Sequence, residues 1–335
     1  MIKVYGEAVT KKMLNILILD ILRRYSDEDH HLTQQEIIRK LKSDFGVEST
    51  DRRTVRDNVQ SLVDMGYGIE NEGDDGYYMY EREFDDAELR LLIDSVLFSK
   101  TISDVAAKRL IEKLKSFGNI YFDTKVSHVK STPILTRTDN KSVLYNVSAI
   151  NEAMDRKKKI TFRYNRYGTD FKMHDQGKQY VMNPYQMVAS NGRYYLLGNV
   201  DKYDNVTYYR IDKMSKVEIL DEKIKPQKEV KDIAEHLPDI PKHMAEHIYM
   251  LHGDSVMATI KTTTSMMDTL VDWFGKDFRI IENKGDDMII SVKCNETALL
   301  YWGLQYGLSV EILKPESLRS ELAKAAKELV QKYGK

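Results

Sequence analysis

Residues 49–66 read STDRRTVRDNVQSLVDMG, and this stretch decides the architecture of the N-terminal part of the chain. At about 100° per residue, one face of a helix over this stretch carries the apolar residues Val55, Val59 and Leu62. The other faces carry hydrogen-bonding side chains, those of Arg52, Arg53, Thr54, Arg56 and Gln60. We predict a helix that is capped by Ser49 or Thr50 and ends near Met65.

Two helices are predicted before this one and a hairpin after it. Apolar residues at helical spacing continue to Tyr25, and Thr33 with Glu36 three residues later has the capping-box arrangement of a helix start. Two short strand-like runs between residues 67 and 80 surround a turn rich in Gly and Asp. Three helices followed by a hairpin form a winged helix-turn-helix, which we predict for residues 1–83.

The arginine-bearing face of the third helix favours binding to double-stranded DNA. An exposed basic stripe at the start of the second helix of such a motif is where base edges and phosphates are contacted. The planar fork of arginine can bond both O6 and N7 of guanine. Asp57 lies four residues after Arg53, a spacing that favours an ion pair. The alternative is a solvated charged face with no ligand.

Charge argues against a DNA contact by the hairpin. Residues 1–80 carry 11 Lys+Arg and 15 Asp+Glu, a net charge of −4. The segment 67–80 contains four carboxylates and no Lys or Arg. Because phosphates repel such a segment, we expect the hairpin to contribute little to DNA binding.

The rest of the chain indicates further domains, so that the whole is predicted to be a multidomain α+β protein. Helical spacing over residues 85–117 predicts about two helices, and residues 118–142 lack clear periodicity, so we predict a helical linker at 84–142. Strand-like runs separated by Gly, Asn and Asp over residues 158–220 predict a small barrel or a strongly bent sheet within a domain at 143–222. A charged connector with three prolines, 223–249, then precedes a unit in βαββαβ order at 250–335, which is ferredoxin-like in outline.

Residues 145–220 are both basic and rich in tyrosine. They carry 13 Lys+Arg against 8 Asp+Glu and hold 10 of the 21 tyrosines of the chain. This combination favours an anionic ligand that can stack on aromatic rings. The alternative is a β-domain that uses tyrosine for its strand propensity alone.

The segment RRTVRDNVQSLVDMGYGIE, residues 52–70, resembles the recognition helix and first wing strand of the DeoR-like helix-turn-helix in WYL-domain transcriptional regulators. Three further segments resemble that family in the expected order: Asn183-Pro184-Tyr185, Tyr194-Tyr195-Leu196 in the place of Trp-Tyr-Leu, and Tyr209–Met214 in the place of Phe-Arg-x-Asp-Arg-Ile. Val310–Arg319 resembles the close of the C-terminal extension domain of these proteins.

This resemblance implies a WYL domain at residues 143–222, which is similar to an SH3-like or Sm-like small β-barrel. In the family this domain has been linked to nucleotide or single-stranded nucleic-acid ligands. The residues expected to bind such a ligand here are Tyr164, Tyr180, Tyr194, Tyr195, Tyr209, Arg210 and Lys213. The chain departs from the family at Tyr180, where a basic residue is common, and at Lys213, where the family has arginine.

Strand geometry limits which of these side chains can act together. Adjacent residues of a strand point to opposite faces, so only one of Tyr194 and Tyr195 can line a given site. The alternative role for Tyr195, with Leu196, is to fill the core of the barrel. For Arg210 a purely structural role is less favourable, because a buried arginine without a partner is costly.

Enzyme chemistry finds little support in the sequence. His243 and His247 are four residues apart, but Glu246 directly precedes the second histidine, whereas the metalloprotease order needs a glutamate directly after the first. The single Cys294 excludes an internal disulfide and a cysteine-based zinc site. No Gly-rich phosphate loop and no Gly-x-Ser-x-Gly occurs. We expect no catalytic activity, no cofactor and no bound metal.

These observations lead to one main functional hypothesis and one alternative. The main hypothesis is a transcription regulator that binds duplex DNA and responds to a nucleotide or nucleic-acid-type ligand. The alternative is a nucleic-acid-processing accessory protein that holds single strands through the tyrosine-rich domain. No apolar run of about 18 residues and no signal peptide pattern occurs, so we expect a cytoplasmic protein with no membrane partner. Recognition helices spaced by one DNA turn favour a homodimer.

Overall fold

The computed structural model describes most of the chain, namely residues 13–122, 137–203, 205–230, 246–251 and 253–334. Within these residues the protein combines α-helices with three antiparallel sheets. The chain divides into two compact units, residues 1–141 and residues 142–335.

Three helices and a two-stranded hairpin open the first unit. They are α1 (Leu14–Tyr25), α2 (Gln34–Phe45), α3 (Arg52–Asp64), β1 (Ile69–Asn71) and β2 (Tyr77–Met79). Their apolar faces share one core, whose fully buried members include Ile18, Ile21, Leu22, Ile37, Leu41 and Val55. The antiparallel hairpin is tied to the helices because Leu32, just before α2, forms a β-bridge with Tyr77.

Local hydrogen bonds fix both ends of α2. Thr33 and Glu36 make the two reciprocal bonds of the capping box, which confirms the predicted helix start. At the other end Gly46 has a φ of 72°, the left-handed conformation that glycine adopts without steric cost. The chain therefore turns directly from α2 toward α3.

The start of α3 differs from the sequence-based prediction. Its N-cap is Asp51, whose carboxylate accepts the backbone N–H of Thr54 at 2.7 Å. The prediction that Ser49 or Thr50 caps this helix was wrong. The carboxylate of Asp51 reaches the free N–H groups of the first turn, so the helix begins at Arg52, one residue later than a cap at Thr50 would place it.

Two further helices, α4 (Asp86–Phe98) and α5 (Asp104–Lys115), follow in the first unit. They enclose a small core of their own, in which Leu89, Ile93 and Phe122 are buried. Arg137 lies beyond them in sequence and donates to the carbonyl oxygen of Leu97 at 2.7 Å, at the end of α4.

The second unit begins with one helix and a five-stranded sheet. The elements are α6 (Val143–Asp155), β3 (Lys158–Tyr167), β4 (Met173–Ser190), β5 (Arg193–Asn199), β6 (Thr207–Arg210) and β7 (Met214–Lys223). The strand order is β6-β5-β4-β3-β7. The 18-residue β4 pairs with β3 through its first part and with β5 through its last part. A single long strand thus joins both halves of the sheet, and α6 packs on its core.

A four-stranded sheet with three helices ends the second unit. Its elements are β8 (Ser255–Thr263), α7 (Met267–Phe274), β9 (Arg279–Lys284), β10 (Asp287–Asn295), α8 (Glu296–Gln305), β11 (Glu311–Lys314) and α9 (Glu316–Tyr333). The strand order is β11-β8-β10-β9, with every pair antiparallel. The elements follow one another in the predicted order, and Trp302 and Phe274 are buried in their core.

Candidate functional site

α3 exposes its arginines because its apolar residues are buried. Val55, Val59 and Leu62 are no more than 2% exposed, and their packing fixes the rotation of the helix. Of the five predicted DNA-binding residues, Thr54 is half-buried and the others are exposed, namely Arg52, Arg53, Arg56 and Gln60. The tertiary structure therefore presents them on one accessible surface of the first unit.

Asp57 is the acidic partner of these arginines. Arg56 Nη2 lies 3.0 Å from the Asp57 carboxylate, whereas Arg53 Nε lies 3.7 Å from it. Arg56, rather than the Arg53 that the i,i+4 spacing favours, is the closer partner. Exposed ion pairs of this kind contribute little to stability, so either arginine can exchange Asp57 for a phosphate or a base edge.

A groove of about 360 Å³ lies beside the start of α3. Its lining comes from α2, α3 and the hairpin and includes Gln34, Gln35, Arg52, Asn71, Asp74 and Tyr77. All of these except Asp74 carry N–H or O–H donors, the groups that contact the phosphate oxygens of DNA. The predicted residue Arg52 thus faces this groove.

One carboxylate of the hairpin, that of Glu70, is hydrogen-bonded within the hairpin itself. The Tyr78 hydroxyl donates to the Glu70 carboxylate at 2.6 Å. This hydrogen bond, together with burial and the charge of Glu70, raises the pKa of Tyr78 to about 12. The expectation that the hairpin contributes little to DNA binding stays a prediction.

Three of the tyrosines predicted to bind a ligand form one cluster on the five-stranded sheet. Tyr180 and Tyr209 pack on Phe162, and Tyr164 packs on both of these tyrosines. The ring centroids are 5.0 Å apart for Tyr164 and Tyr209 and 5.4 Å apart for Phe162 and Tyr180. Burial raises the pKa of Tyr209 to about 12 and also raises the pKa of Tyr164. These rings extend the core of the domain and are only partly open to a ligand.

A second cluster is built on the buried carboxylate of Asp212, which is 0% exposed. Arg210 donates to it twice, from Nε at 3.1 Å and from Nη2 at 2.7 Å. Arg193 donates from Nη1 at 2.9 Å. Burial alone would lower the pKa of Arg210. The hydrogen bonds to Asp212 and the negative charge of Asp212 outweigh burial, so the pKa of Arg210 is raised. Asp212 thus orients two guanidinium groups that remain about one fifth exposed.

Further positive charge surrounds this arginine pair. Burial lowers the pKa of Lys213, and the nearby charges of Arg210, Arg193 and Arg166 lower it further, although Asp212 acts in the opposite direction. Asp212 therefore forms ion pairs with two arginines, and the charges of Arg166 and Lys213 lie nearby. Such a concentration of charge favours the binding of an anion.

Strand pairing decides which tyrosine joins the cationic cluster. Tyr195 lies directly opposite Arg210 across β5 and β6, so both side chains project from the same face. Leu196 is fully buried, whereas Tyr195 is half-buried and lies outside the apolar core. Tyr194 is 44% exposed and lies on the opposite face of β5. The seven predicted residues are thus divided between an aromatic cluster, a cationic cluster and a separate Tyr194.

Three residues in or near the cationic cluster were not predicted from the sequence, namely Arg166, Arg193 and Asp212. Two of them carried a signal. Arg193 stands two residues before Tyr195 and so shares its strand face, and Asp212 stands two residues after Arg210 within the motif Tyr209–Met214. Arg166 carried no such signal, because its charge acts on Lys213 only when the fold brings the two residues near each other.

The histidine pair near residue 245 gives no metal site within the described ranges. His243 lies outside the described residues, and Glu246 pairs with Lys293 at 3.1 Å. No group of three potential metal ligands occurs in the part of the chain that the structure describes. Burial raises the pKa of the Cys294 thiol to about 12.

Comparison with known proteins identifies one domain. Residues 145–219 match the WYL domain family, so a WYL domain is present in the chain. No curated protein sequence matches the chain. Among the described helices, none has the length and apolar character needed to cross a bilayer.

Two solved structures have low similarity to the chain. One is the proteasome accessory factor B/C (PafBC) of Arthrobacter aurescens, at 15% identity and a TM-score of 0.29 over 100% of this chain and 52% of that chain. The other is described as a CRISPR Cas-related protein, at 15% identity and a TM-score of 0.38 over 98% of this chain and 88% of that one. The present chain thus spans about half the length of the PafBC chain.

Proposed function

We propose that this protein is a DNA-binding transcription regulator whose WYL domain senses a nucleotide or nucleic-acid-type ligand. In this proposal residues 1–83 act as a winged helix-turn-helix, and residues 250–335 act as a ferredoxin-like C-terminal extension domain. The antiparallel order β11-β8-β10-β9 with α7 and α8 supports the second assignment. The role includes no catalytic step and no cofactor, and it implies a cytoplasmic protein.

The DNA-binding part rests on the exposed polar face of α3. This helix follows α2 after a short turn, and its buried face orients Arg53, Arg56 and Gln60 outward. Arginine and glutamine are the side chains that pair with guanine and adenine in the major groove. The hydrogen-bond donors in the adjacent groove, including Arg52, support contact with the phosphate backbone on the same side.

The sensing part rests on the pair of arginines held by Asp212. A guanidinium group in a fixed orientation recognises a phosphate or carboxylate through two parallel hydrogen bonds. Lys213 adds a point charge, and Tyr195 adds an aromatic side chain on the same strand face as Arg210. An anionic ligand with a base or another flat ring fits this combination.

Duplex binding by the arginines of α3 provides the direct test. Arg53→Ala and Arg56→Ala should each weaken binding to a preferred duplex, selected from a random pool, by about 1–3 kcal/mol if the residue reads a base. Fluorescence anisotropy in matched salt measures the change. Lys40→Ala on α2 is a matched control, because the Lys40 ammonium lies over the ring of Tyr25, 3.3 Å from its centroid.

The outcomes of this test separate the two functional hypotheses. Unchanged duplex affinity in both α3 variants would contradict DNA reading by this helix. If the wild-type protein binds single strands but selects no duplex from the pool, the accessory-protein alternative replaces the proposal.

A further inference from the structure

Asp57 lies at the centre of the exposed face of α3, among the residues proposed to read DNA. At about 100° per residue it lies about 200° around the helix from Val55, whose side chain is buried in the core. The side chain of Asp57 is 56% exposed. Because phosphates repel a carboxylate, its presence at the centre of a DNA-binding face requires an explanation other than affinity.

The two oxygens of this carboxylate face different arginines. Asp57 Oδ1 accepts from Arg56 Nε at 3.2 Å and from Arg56 Nη2 at 3.0 Å. Asp57 Oδ2 lies 3.7 Å from Arg53 Nε, which is beyond hydrogen-bonding distance. Asp57 therefore orients Arg56, and Oδ2 keeps its capacity to accept a hydrogen bond from another donor.

This geometry leaves the reading edge of Arg56 available. Nε and Nη2 form the side edge of the guanidinium group, and both donate to Asp57. The end edge, formed by Nη1 and Nη2, keeps the other three of the five N–H donors. Two parallel N–H groups on that edge match O6 and N7 of guanine. Asp57 thus fixes the plane of the guanidinium group without occupying the edge that pairs with a base.

The ion pair becomes stronger when DNA covers it. In the free protein the side chains of Arg56 and Asp57 are 59% and 56% exposed, and water weakens their attraction. An interface that excludes water lowers the local dielectric constant, which strengthens the attraction between the two charges. A bound duplex therefore favours an Arg56 that keeps Asp57 and reads a base through its end edge.

The free oxygen of Asp57 discriminates between bases. A carboxylate can only accept hydrogen bonds, so the base edge that faces it must present a donor. In the major groove N4 of cytosine is the donor with which Asp and Glu pair. Thymine O4 and guanine O6 are acceptors and leave the carboxylate without a partner. Asp57 therefore disfavours most sequences and accepts those that place a cytosine against it.

We propose that Asp57 is a specificity-determining residue of α3, which holds Arg56 on a guanine and accepts a hydrogen bond from N4 of a cytosine in an adjacent base pair. Successive base pairs are about 3.4 Å apart, a distance within reach of two neighbouring side chains. The charge of Asp57 also lowers the affinity for every duplex that lacks this cytosine. This inference rests on the proposed DNA-binding function and names a determinant of its sequence preference.

Selection from a random duplex pool by the full-length protein gives the first measurement. The wild type should enrich a guanine with a cytosine in an adjacent base pair. Replacing that C·G pair by T·A in the selected duplex should weaken wild-type binding about 10-fold. Fluorescence anisotropy in matched salt measures this change, and the comparison needs no variant.

Asp57→Asn removes the charge and keeps the size of the side chain. An amide carries both a donor and an acceptor, so discrimination between cytosine and thymine should fall from about 10-fold to below about 3-fold. The affinity for a duplex of unrelated sequence should rise about 3-fold or more, because repulsion of the phosphates is lost. The melting temperature should stay that of the wild type, since exposed ion pairs contribute little. A merely structural role would change the melting temperature and leave the base preference intact.

Asp20→Asn on α1 is the matched control. Asp20 is also a partly exposed carboxylate that pairs with an arginine, Arg24, at 2.8 Å. The substitution makes the same change in total charge outside the reading face. Both the base discrimination and the affinity for the unrelated duplex should stay within about 2-fold of the wild type, because salt screens distant charges.

The possible failures are distinguishable. If the wild-type protein selects no duplex, the DNA-binding function itself fails and this inference fails with it. If the wild type selects a duplex without a preference for that cytosine, or if Asp57→Asn keeps the full discrimination, the role of Asp57 is overturned while DNA binding remains. An equal rise in affinity for the unrelated duplex in Asp20→Asn also overturns it, because total charge would then explain the effect.

Discussion

At the scale of single residues, we expect substitution of Asp212 to have the largest effect on the stability of the WYL domain. Its buried carboxylate accepts hydrogen bonds from both Arg193 and Arg210. Asp212→Asn removes the negative charge to which two partly buried guanidinium groups are bonded. Because loss of one partner from a buried ion pair is strongly destabilising, we expect the free energy of unfolding to fall by about 3 kcal/mol. Urea unfolding followed by circular dichroism measures this change.

An exposed carboxylate of the same domain provides the control for Asp212. Asp170 pairs with His174 on the surface, with about half of each side chain exposed. We expect no measurable change in stability for Asp170→Asn, because surface ion pairs contribute little. A loss below about 1 kcal/mol for Asp212→Asn would contradict the central role assigned to that carboxylate.

At the scale of elements, the capping box stabilises the start of α2, the helix that precedes α3. Glu36 N–H donates to Thr33 Oγ1 at 3.3 Å, and Thr33 N–H donates to the Glu36 carboxylate at 2.9 Å. Thr33→Ala should lower the free energy of unfolding by about 1 kcal/mol at neutral pH. Thr33→Ser, which keeps the hydroxyl, should be close to wild type, and thermal unfolding monitored by circular dichroism compares the three proteins.

The same cap should depend on pH. The backbone and side-chain hydrogen bonds of Thr33 hold the pKa of Glu36 below its ordinary value of 4.5. A carboxylate with a lowered pKa in the folded state stabilises the fold above pH 4.5, and this contribution disappears as pH falls through the lowered pKa. The difference between wild type and Thr33→Ala should therefore narrow below pH 4.5. A difference that persists undiminished at the lowest pH of reversible unfolding would argue against the Glu36 half of the cap.

At the scale of the whole molecule, a sensor must couple its two ligands. If a ligand of the WYL domain changes the affinity for duplex DNA by some factor, the duplex must change the affinity for that ligand by the same factor. We expect a coupling of about 1–3 kcal/mol, measured by titrating each ligand in the presence and absence of the other. Arg210→Lys should lose the ligand response and keep the basal DNA affinity, because lysine cannot bond an anion through two parallel N–H groups. No change in either affinity when the other ligand is present, or a response that survives in Arg210→Lys, would refute this assignment.

Oligomeric state is a second property of the whole molecule. A two-fold symmetric dimer is the simplest way to place two copies of α3 one DNA turn apart. Exposed apolar side chains on the described helices, among them Leu91, Val105 and Val330, offer surface for such a contact. Light scattering at micromolar protein with DNA present should give a protein mass of about twice 39.0 kDa. A monomer under those conditions would exclude the dimer.

Elements whose signals are local could be predicted from the sequence. The spacing of apolar residues and the nearby turn residues predicted the helices and the hairpin of the first unit and the capping box at Thr33. The same local signals predicted the element order of residues 250–335. The exposed face of α3 also followed, because the burial of Val55, Val59 and Leu62 determines which side chains remain outside. The N-cap Asp51 was missed because neighbouring Ser, Thr and Asp residues all fit that position.

Only the tertiary structure decided how the ligand-site candidates are grouped. The sequence proposed five tyrosines and two cations as one site, and strand pairing separated them, since Tyr195 faces Arg210 while Tyr209 packs beside Phe162. Asp212 became the centre of the cationic cluster because the fold buries it between Arg193 and Arg210, and the charge of a buried carboxylate requires such partners. Composition and spacing determine which residues prefer helix, strand or surface. The partners that lie far apart in sequence, such as Arg193 for Asp212, come together only when the strands pair.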